Sequence, residues 1–201
     1  TGFITVTMVD ILFTVDGQPA TSENAVTVQT NPTYGQSWNE IVSIAAISAT
    51  LNGQPVTGSY SLVTEKEIPA AGPQQYVVRF TVGEKSYDVC GGTVTIAPKA
   101  LTITGVGAED KIYDGTVKAD ATGDAVLNGV VGEDIVTVKA GTAAFTDKDA
   151  GMQTVTFTGY GIEGEDAGNY TVSQPAPVQA QISRKSVTIT GVVVADQTYD
   201  G

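Results

Sequence analysis

Carboxylates are the reactive groups that this sequence supplies in quantity: 22 Asp and Glu stand against 10 Lys and Arg, and His is absent. They gather in Gly-rich stretches, at Glu163-Gly-Glu165-Asp166, at Asp147-Lys-Asp149 and at Glu133-Asp134. Grouped oxygen ligands are what a calcium ion takes. Glu163, Glu165, Asp166, Asp147 and Asp149 are therefore the candidate metal ligands, although no Asp-x-Asp-x-Asp-Gly loop with a distal Glu accompanies them. The plainer reading is solvated loop charge, so calcium is the one cofactor left open. Acid–base work by carboxylates needs a pair whose pKa values are driven apart. No pattern marks such a pair, so no catalytic residue is assigned and an enzyme is not expected.

Cys90 is the single thiol. It can close no internal disulfide, and with no His to deprotonate it the expectation is a small apolar residue in a strand. Trp38 is the single Trp and stands near Tyr34. An exposed aromatic pair of this kind could stack on a sugar face, which makes Trp38 and Tyr34 the candidate binding residues; packing in or beside a core is the alternative. The net charge of −12 argues against nucleic acid and anionic membrane surfaces, which select clustered Lys and Arg. No run of about 18 apolar residues is present, so no membrane insertion is expected within this stretch, and a monomer is expected.

The elements that must position these groups are strands. The chain is rich in Thr, Val and Gly, with 23 Gly and 8 Pro, which reads as an all-β fold. Residues 1–25 hold two strand-like runs, up to Asp10 and over Ile11–Val15, closed by a turn at Asp16-Gly17. They form an N-terminal hairpin, the end of a preceding module, or an extra strand pair of the next one. Residues 26–98 carry strand signals at Val26–Thr30, Glu40–Ile47, Gly58–Thr64, Gln75–Val82 and Gly92–Ala97, with a type I′ turn signal at Asn52-Gly53. The long run Glu40–Ile47 reads as a central strand, though its two Ala allow a helical turn. Tyr76, Val78 and Phe80 should share one buried face, and Val94 and Ile96 another, with Thr93 and Thr95 outward. About seven short strands in this span suit a small sandwich of the immunoglobulin type. Ala97-Pro98-Lys99 marks a boundary. Strands follow at Leu101–Thr104, Ile135–Val138, Thr142–Phe145, Gln153–Thr158, Asn169–Val172 and Val178–Ile182, with a short helical turn allowed at Ala125–Asp134.

A repeat organises the second half. Lys99-Ala-Leu-Thr-Ile-Thr-Gly-Val106 returns as Lys185-Ser-Val-Thr-Ile-Thr-Gly-Val192, and Tyr113-Asp114-Gly115 returns as Tyr199-Asp200-Gly201, both at an offset of 86. That period indicates tandem modules. Residues 99–184 then form one module and 185–201 the first strand of a cut copy, an apolar edge expected to pack on a neighbour. Tyr113-Asp114-Gly115 reads as a structural turn: Asp offers a side-chain acceptor, Gly a free φ, and the Tyr ring covers the core with its hydroxyl bonded to backbone. Asn169-Tyr170 reads similarly, with the tyrosine hydroxyl bonded to backbone.

Lys-x-Tyr-Asp-Gly-Thr at 111–116, Gly-Tyr-Gly-Ile at 159–162, Asp-Ala-Gly-Asn-Tyr-Thr at 166–171 and the closing Gln-Ile-Ser-Arg-Lys resemble the YDG-type repeats of large bacterial surface proteins and adhesins. The resemblance covers residues 99–184 and the cut copy. Thr33-Tyr34-Gly35-Gln36-Ser37, Tyr76–Thr81, Lys85-Ser-Tyr87 and Gly92–Ile96 resemble bacterial immunoglobulin-like stalk repeats, with Ser86-Tyr87 where those carry Asn-Tyr. The resemblance implies an extracellular stalk at the bacterial cell surface, made of two tandem β-sandwich modules; a β-grasp fold is the alternative for the second. The implied function is to present a distal binding region. The alternative is a module that binds a glycan or host protein through sandwich-end loops, and the implied partner is an unidentified host or cell-wall ligand. Such proteins also form Lys–Asn isopeptide bonds, for which Lys111, Asn169 and Asp147 are the candidates; a solvated Lys111 is the alternative.

Overall fold

The computed structural model describes residues 11–64 and 66–201. The chain is all-β, and its described residues gather into two compact units that are not continuous in sequence. The first takes the described residues as far as Leu101, together with Gly129–Thr137 and Ile162–Val172. The second takes Thr102–Asn128, Val138–Gly161 and Ser173–Gly201.

In the first unit, Leu12–Val15 turns at Asp16-Gly17 into Gln18–Pro19 and pairs on its other side with Ser48–Leu51. Ser48–Leu51 in turn meets Gln54–Pro55 across Asn52-Gly53. Both turns have positive φ at both central residues, 48° and 78° in one and 52° and 75° in the other, the type I′ geometry that Asn-Gly and Asp-Gly favour. The expected partner run before Asp10 lies outside the described residues. Val26–Val28 pairs with Val42–Ile44. A third sheet is the meander Ser59–Val63, Gly72–Val82 and Lys85–Ile96. Period-2 alternation sets its faces: Tyr76, Val78, Phe80, Val94 and Ile96 are buried, and Thr93 and Thr95 are exposed.

The run Glu40–Ile47 is not one strand. Trp38–Ile41 forms a helical turn, Val42–Ile44 a strand, and the chain pairs again only from Ser48. The cause is Ser37-x-x-Glu40: the Glu40 carboxylate accepts the Ser37 N–H at 2.7 Å and the Ser37 hydroxyl at 2.8 Å, which starts a helix before the strand pattern can take hold.

The second unit is built on a sheet ordered Lys111–Ile112, Val178–Ser183, Gly151–Thr158, Thr142–Phe145, Lys118–Ala119. Phe145, Val155, Phe157, Ala180 and Ile182 form its buried side. Thr102–Thr104 pairs with Val126–Asn128. The helical turn allowed at Ala125–Asp134 is therefore a strand followed by a turn at Gly132-Glu133. Ladder pairing and an Asn128 Nδ2 to Thr104 Oγ1 bond of 2.8 Å override the local pattern. The expected strand Ile135–Val138 is shifted to Thr137–Lys139, because the Ile135 N–H is taken by the Asp166 carboxylate at 2.9 Å. Residues 184–201 form no strand; Val187 and Ile189 are each 85% exposed, whereas their counterparts Leu101 and Ile103 are 1% and 5% exposed. A strand is stabilised by its ladder, and the tail has none among the described residues.

Candidate functional site

Two side-chain constellations concentrate the polar chemistry. The first is in the first unit. Thr33 makes a parallel bridge to Ala97; the Ala97 N–H donates to Pro32 O and the Tyr34 N–H donates to Ala97 O, both at 2.8 Å. This fixes Tyr34 at the end of the bridge. Lys99–Leu101 runs parallel to Tyr170–Val172, which fixes Tyr170. The two rings meet edge to face with centroids 5.2 Å apart. Both hydroxyls donate to Asp134 Oδ2, Tyr34 at 2.8 Å, and the Tyr170 oxygen accepts the Val131 N–H at 2.8 Å. Burial, then the bond to Asp134, pushes the Tyr170 phenol up to about 12, and the same two causes raise Tyr34 further. Neither ring ionises under ordinary conditions, so both act as fixed donors to one carboxylate. Asn169 Oδ1 accepts the Ala71 N–H at 2.9 Å, which joins two more segments of the same unit.

The second constellation is the Lys-x-Tyr-Asp-Gly-Thr stretch. Lys111 Nζ donates to Asp114 Oδ1 at 2.9 Å, Thr116 O at 2.8 Å, Thr116 Oγ1 at 3.2 Å and Lys118 O at 2.9 Å, and lies 5.4 Å from the Phe145 ring centroid. Asp114 Oδ1 also accepts the Thr116 N–H and hydroxyl at 2.8 and 2.9 Å, and Gly115 supplies φ = 81°. The Lys111 bond, followed by those of Thr116, holds the Asp114 carboxyl well below the usual carboxylate range. Tyr113 is half-buried, and its N–H donates to Ser183 O at 2.8 Å. Lys111 is thus the centre of a clasp rather than a solvated charge; the Lys side chain is only 17% exposed.

The remaining candidates disperse. Trp38 is 5% exposed and packs against Tyr76, and Tyr34 is 9% exposed, so the aromatic platform is corrected to core packing: the helical turn begun at Ser37 turns the indole inward. Among the calcium candidates, Glu163 and Glu165 are exposed, Asp166 bonds the Ile135 N–H, Asp147 accepts the Asp149 N–H, and Asp149 meets Lys148 at 3.2 Å. Among the described residues no three such side chains converge to hold a metal ion. The isopeptide candidates Lys111, Asn169 and Asp147 are each committed to the other partners just named. Cys90 is free and half-buried in Lys85–Ile96, and burial raises its thiol. In the sequence Asp134 stands only as loop charge beside Glu133, with nothing local to mark it as the shared acceptor of two tyrosines, and Thr116 only as the last residue of the motif.

The arrangement defines an all-β chain whose best-formed polar sites hold backbone and rings in place. A YDG domain is found at residues 97–178. No curated protein and no solved structure matches the chain.

Proposed function

We propose that these residues are structural stalk modules of a bacterial surface protein, set between the cell and a distal binding region, and that they carry out no catalysis themselves. The observation that carries this reading is the Tyr34–Asp134–Tyr170 constellation. Two segments of the YDG stretch, Gly129–Thr137 and Ile162–Val172, fold into one compact unit with the chain that precedes that stretch. A flexible string of beads would keep successive stretches in separate cores joined by linkers. Sharing a core removes the freedom of a linker, and resistance to bending is what a stalk requires. The polar side chains spend their bonding capacity internally, on Lys111, Asp114, Asp134 and Asn169, which also suits a spacer.

The test is an exchange in the parent protein on intact cells. Antibodies to these residues should label the surface. Deleting residues 99–184 should weaken attachment by the distal region, and an unrelated rigid β-module of equal length in their place should restore it. If the exchange fails to restore attachment while loop substitutions in the original abolish it, the stretch is a binding module and the stalk reading falls.

A further inference from the structure

Tyr34 and Tyr113 occupy the same position in two differently built surroundings. In the first unit, Thr33 bridges Ala97 in parallel and the Tyr34 N–H closes the bridge on Ala97 O at 2.8 Å. In the second, Ile112 pairs in parallel with Ser183 and the Tyr113 N–H closes that pair on Ser183 O, also at 2.8 Å. Each tyrosine follows the residue paired with the end of a closing strand. Each closing strand then leads through one residue to a lysine: Ala97-Pro98-Lys99 and Ser183-Arg184-Lys185. After Lys99 comes Leu101-Thr-Ile-Thr104, and after Lys185 comes Val187-Thr-Ile-Thr190.

What differs is the cover. Tyr34 is 9% exposed because Asp134 and Tyr170, supplied by the chain after Lys99, close over it. Tyr113 is only half-buried, and the charge that reaches its phenol is the Lys148 ammonium rather than a carboxylate. The chain after Lys185 repeats the sequence of that opening strand, 85% exposed at both Val187 and Ile189. We infer that Tyr113 is the docking residue for a following module of the 99–184 type, whose counterparts of Asp134 and Tyr170 accept the Tyr113 hydroxyl and pack on its ring. The inference rests on the stalk reading and supplies its joint: one tyrosine per module, placed by the closing strand, received by an acidic residue and a tyrosine of the next. The turns beyond the two tyrosines differ, since Gly35 takes positive φ at once whereas Asp114 intervenes before Gly115. The shared feature is the tyrosine, and Asp114 is turned back on Lys111.

Tyrosine nitration followed by peptide mass spectrometry tests this on two chains: the 201-residue protein, and a longer one in which residues 185–201 are replaced by a second copy of residues 99–184 that carries Ile112→Val and Ile162→Val, so that the Tyr113 and Tyr160 peptides of the two copies differ in mass. In the 201-residue protein Tyr113 should be nitrated readily and Tyr34 about tenfold more slowly, with Tyr199, 92% exposed, as the fast reference. In the longer chain Tyr113 of the first copy should slow to the rate of Tyr34, and Asp134→Ala in the second copy should restore its reactivity. Equal Tyr113 nitration in the two chains overturns the inference while leaving the stalk reading in place. Nitration of Tyr34 as fast as Tyr199 overturns the joint itself and the stalk reading with it. Protection of Tyr160 in the second copy reports that the copy has folded; its absence also counts against the inference, which requires a module continuing from Lys185 to fold on Tyr113.

Discussion

Lys111 has three N–H donors and four oxygen acceptors within reach, so its ammonium shares one hydrogen between two of them. Two of the acceptors are backbone carbonyls, of Thr116 beyond the turn and of Lys118 at the start of the next strand. Lys111→Met keeps the length and apolar stem while removing the donor. It should cost about 1–2 kcal/mol in the urea unfolding of the second unit at neutral pH, from carbonyls left without a partner. The sign of the pH dependence follows from Asp114. Its folded pKa is depressed, so its contribution is fully present above the ordinary unfolded value of about 4 and is lost as pH falls below it toward the folded value. The gap between Lys111→Met and the parent chain should therefore narrow as pH falls below about 4 toward the acid limit of folding. Circular dichroism at several pH values reads this directly, and a gap that stays constant would remove Asp114 from the clasp.

Elements in the second unit are set by close approach as much as by pattern. A Cβ on Gly141 would lie 2.2 Å from Thr158 O and 2.5 Å from Tyr160 N, backbone atoms that cannot give way. Gly115 needs its φ of 81° but has open space around it. Gly141→Ala should therefore cost about 3 kcal/mol or more, by forcing Thr142–Phe145 away from Gly151–Thr158. Gly115→Ala should cost only the left-handed strain of about 1–2 kcal/mol. Urea midpoints of the two variants compare these; equal losses would contradict the packing argument. The motif marks Gly115 as a turn glycine, but nothing in the sequence marks the close approach at Gly141, which depends on a strand that is distant in the chain. Alternation placed Tyr76, Val78, Phe80, Val94 and Ile96 correctly because a half-buried strand writes its face at period 2. The turns at Asp16-Gly17 and Asn52-Gly53 were legible because positive φ selects residue type. Glu40–Ile47 misled because a capping pair three residues apart outweighed an apolar run. Ala125–Asp134 misled because its ladder partners are Thr102–Thr104, outside any local window.

On the scale of the whole molecule, the polar site that matters most joins residues far apart in the chain: Tyr34 and Asp134 are 100 residues apart, and Ala71 and Asn169 are 98 apart. No local pattern encodes such pairs, which is why the Lys-x-Tyr-Asp-Gly-Thr motif could be read in advance and the Asp134 acceptor could not. The pairs also make a prediction about cooperativity. Trp38 lies in the core of the first unit and is the chain's single indole, so its fluorescence follows that unit alone. Asp134→Ala leaves two buried phenol hydroxyls without their common acceptor, a loss of about 2 kcal/mol. If Gly129–Thr137 belongs to the same cooperative core as Trp38, the urea transition seen by fluorescence must move to lower denaturant by that amount, although the substitution is far from the indole in sequence. A second substitution, Tyr34→Phe, should then add little to Asp134→Ala, since both remove the same bond and residues sharing a network do not contribute independently. A fluorescence transition indifferent to Asp134→Ala would mean that the later segments unfold on their own. The compact unit would then be two bodies in contact, and the stiffness expected of a stalk would have to come from elsewhere.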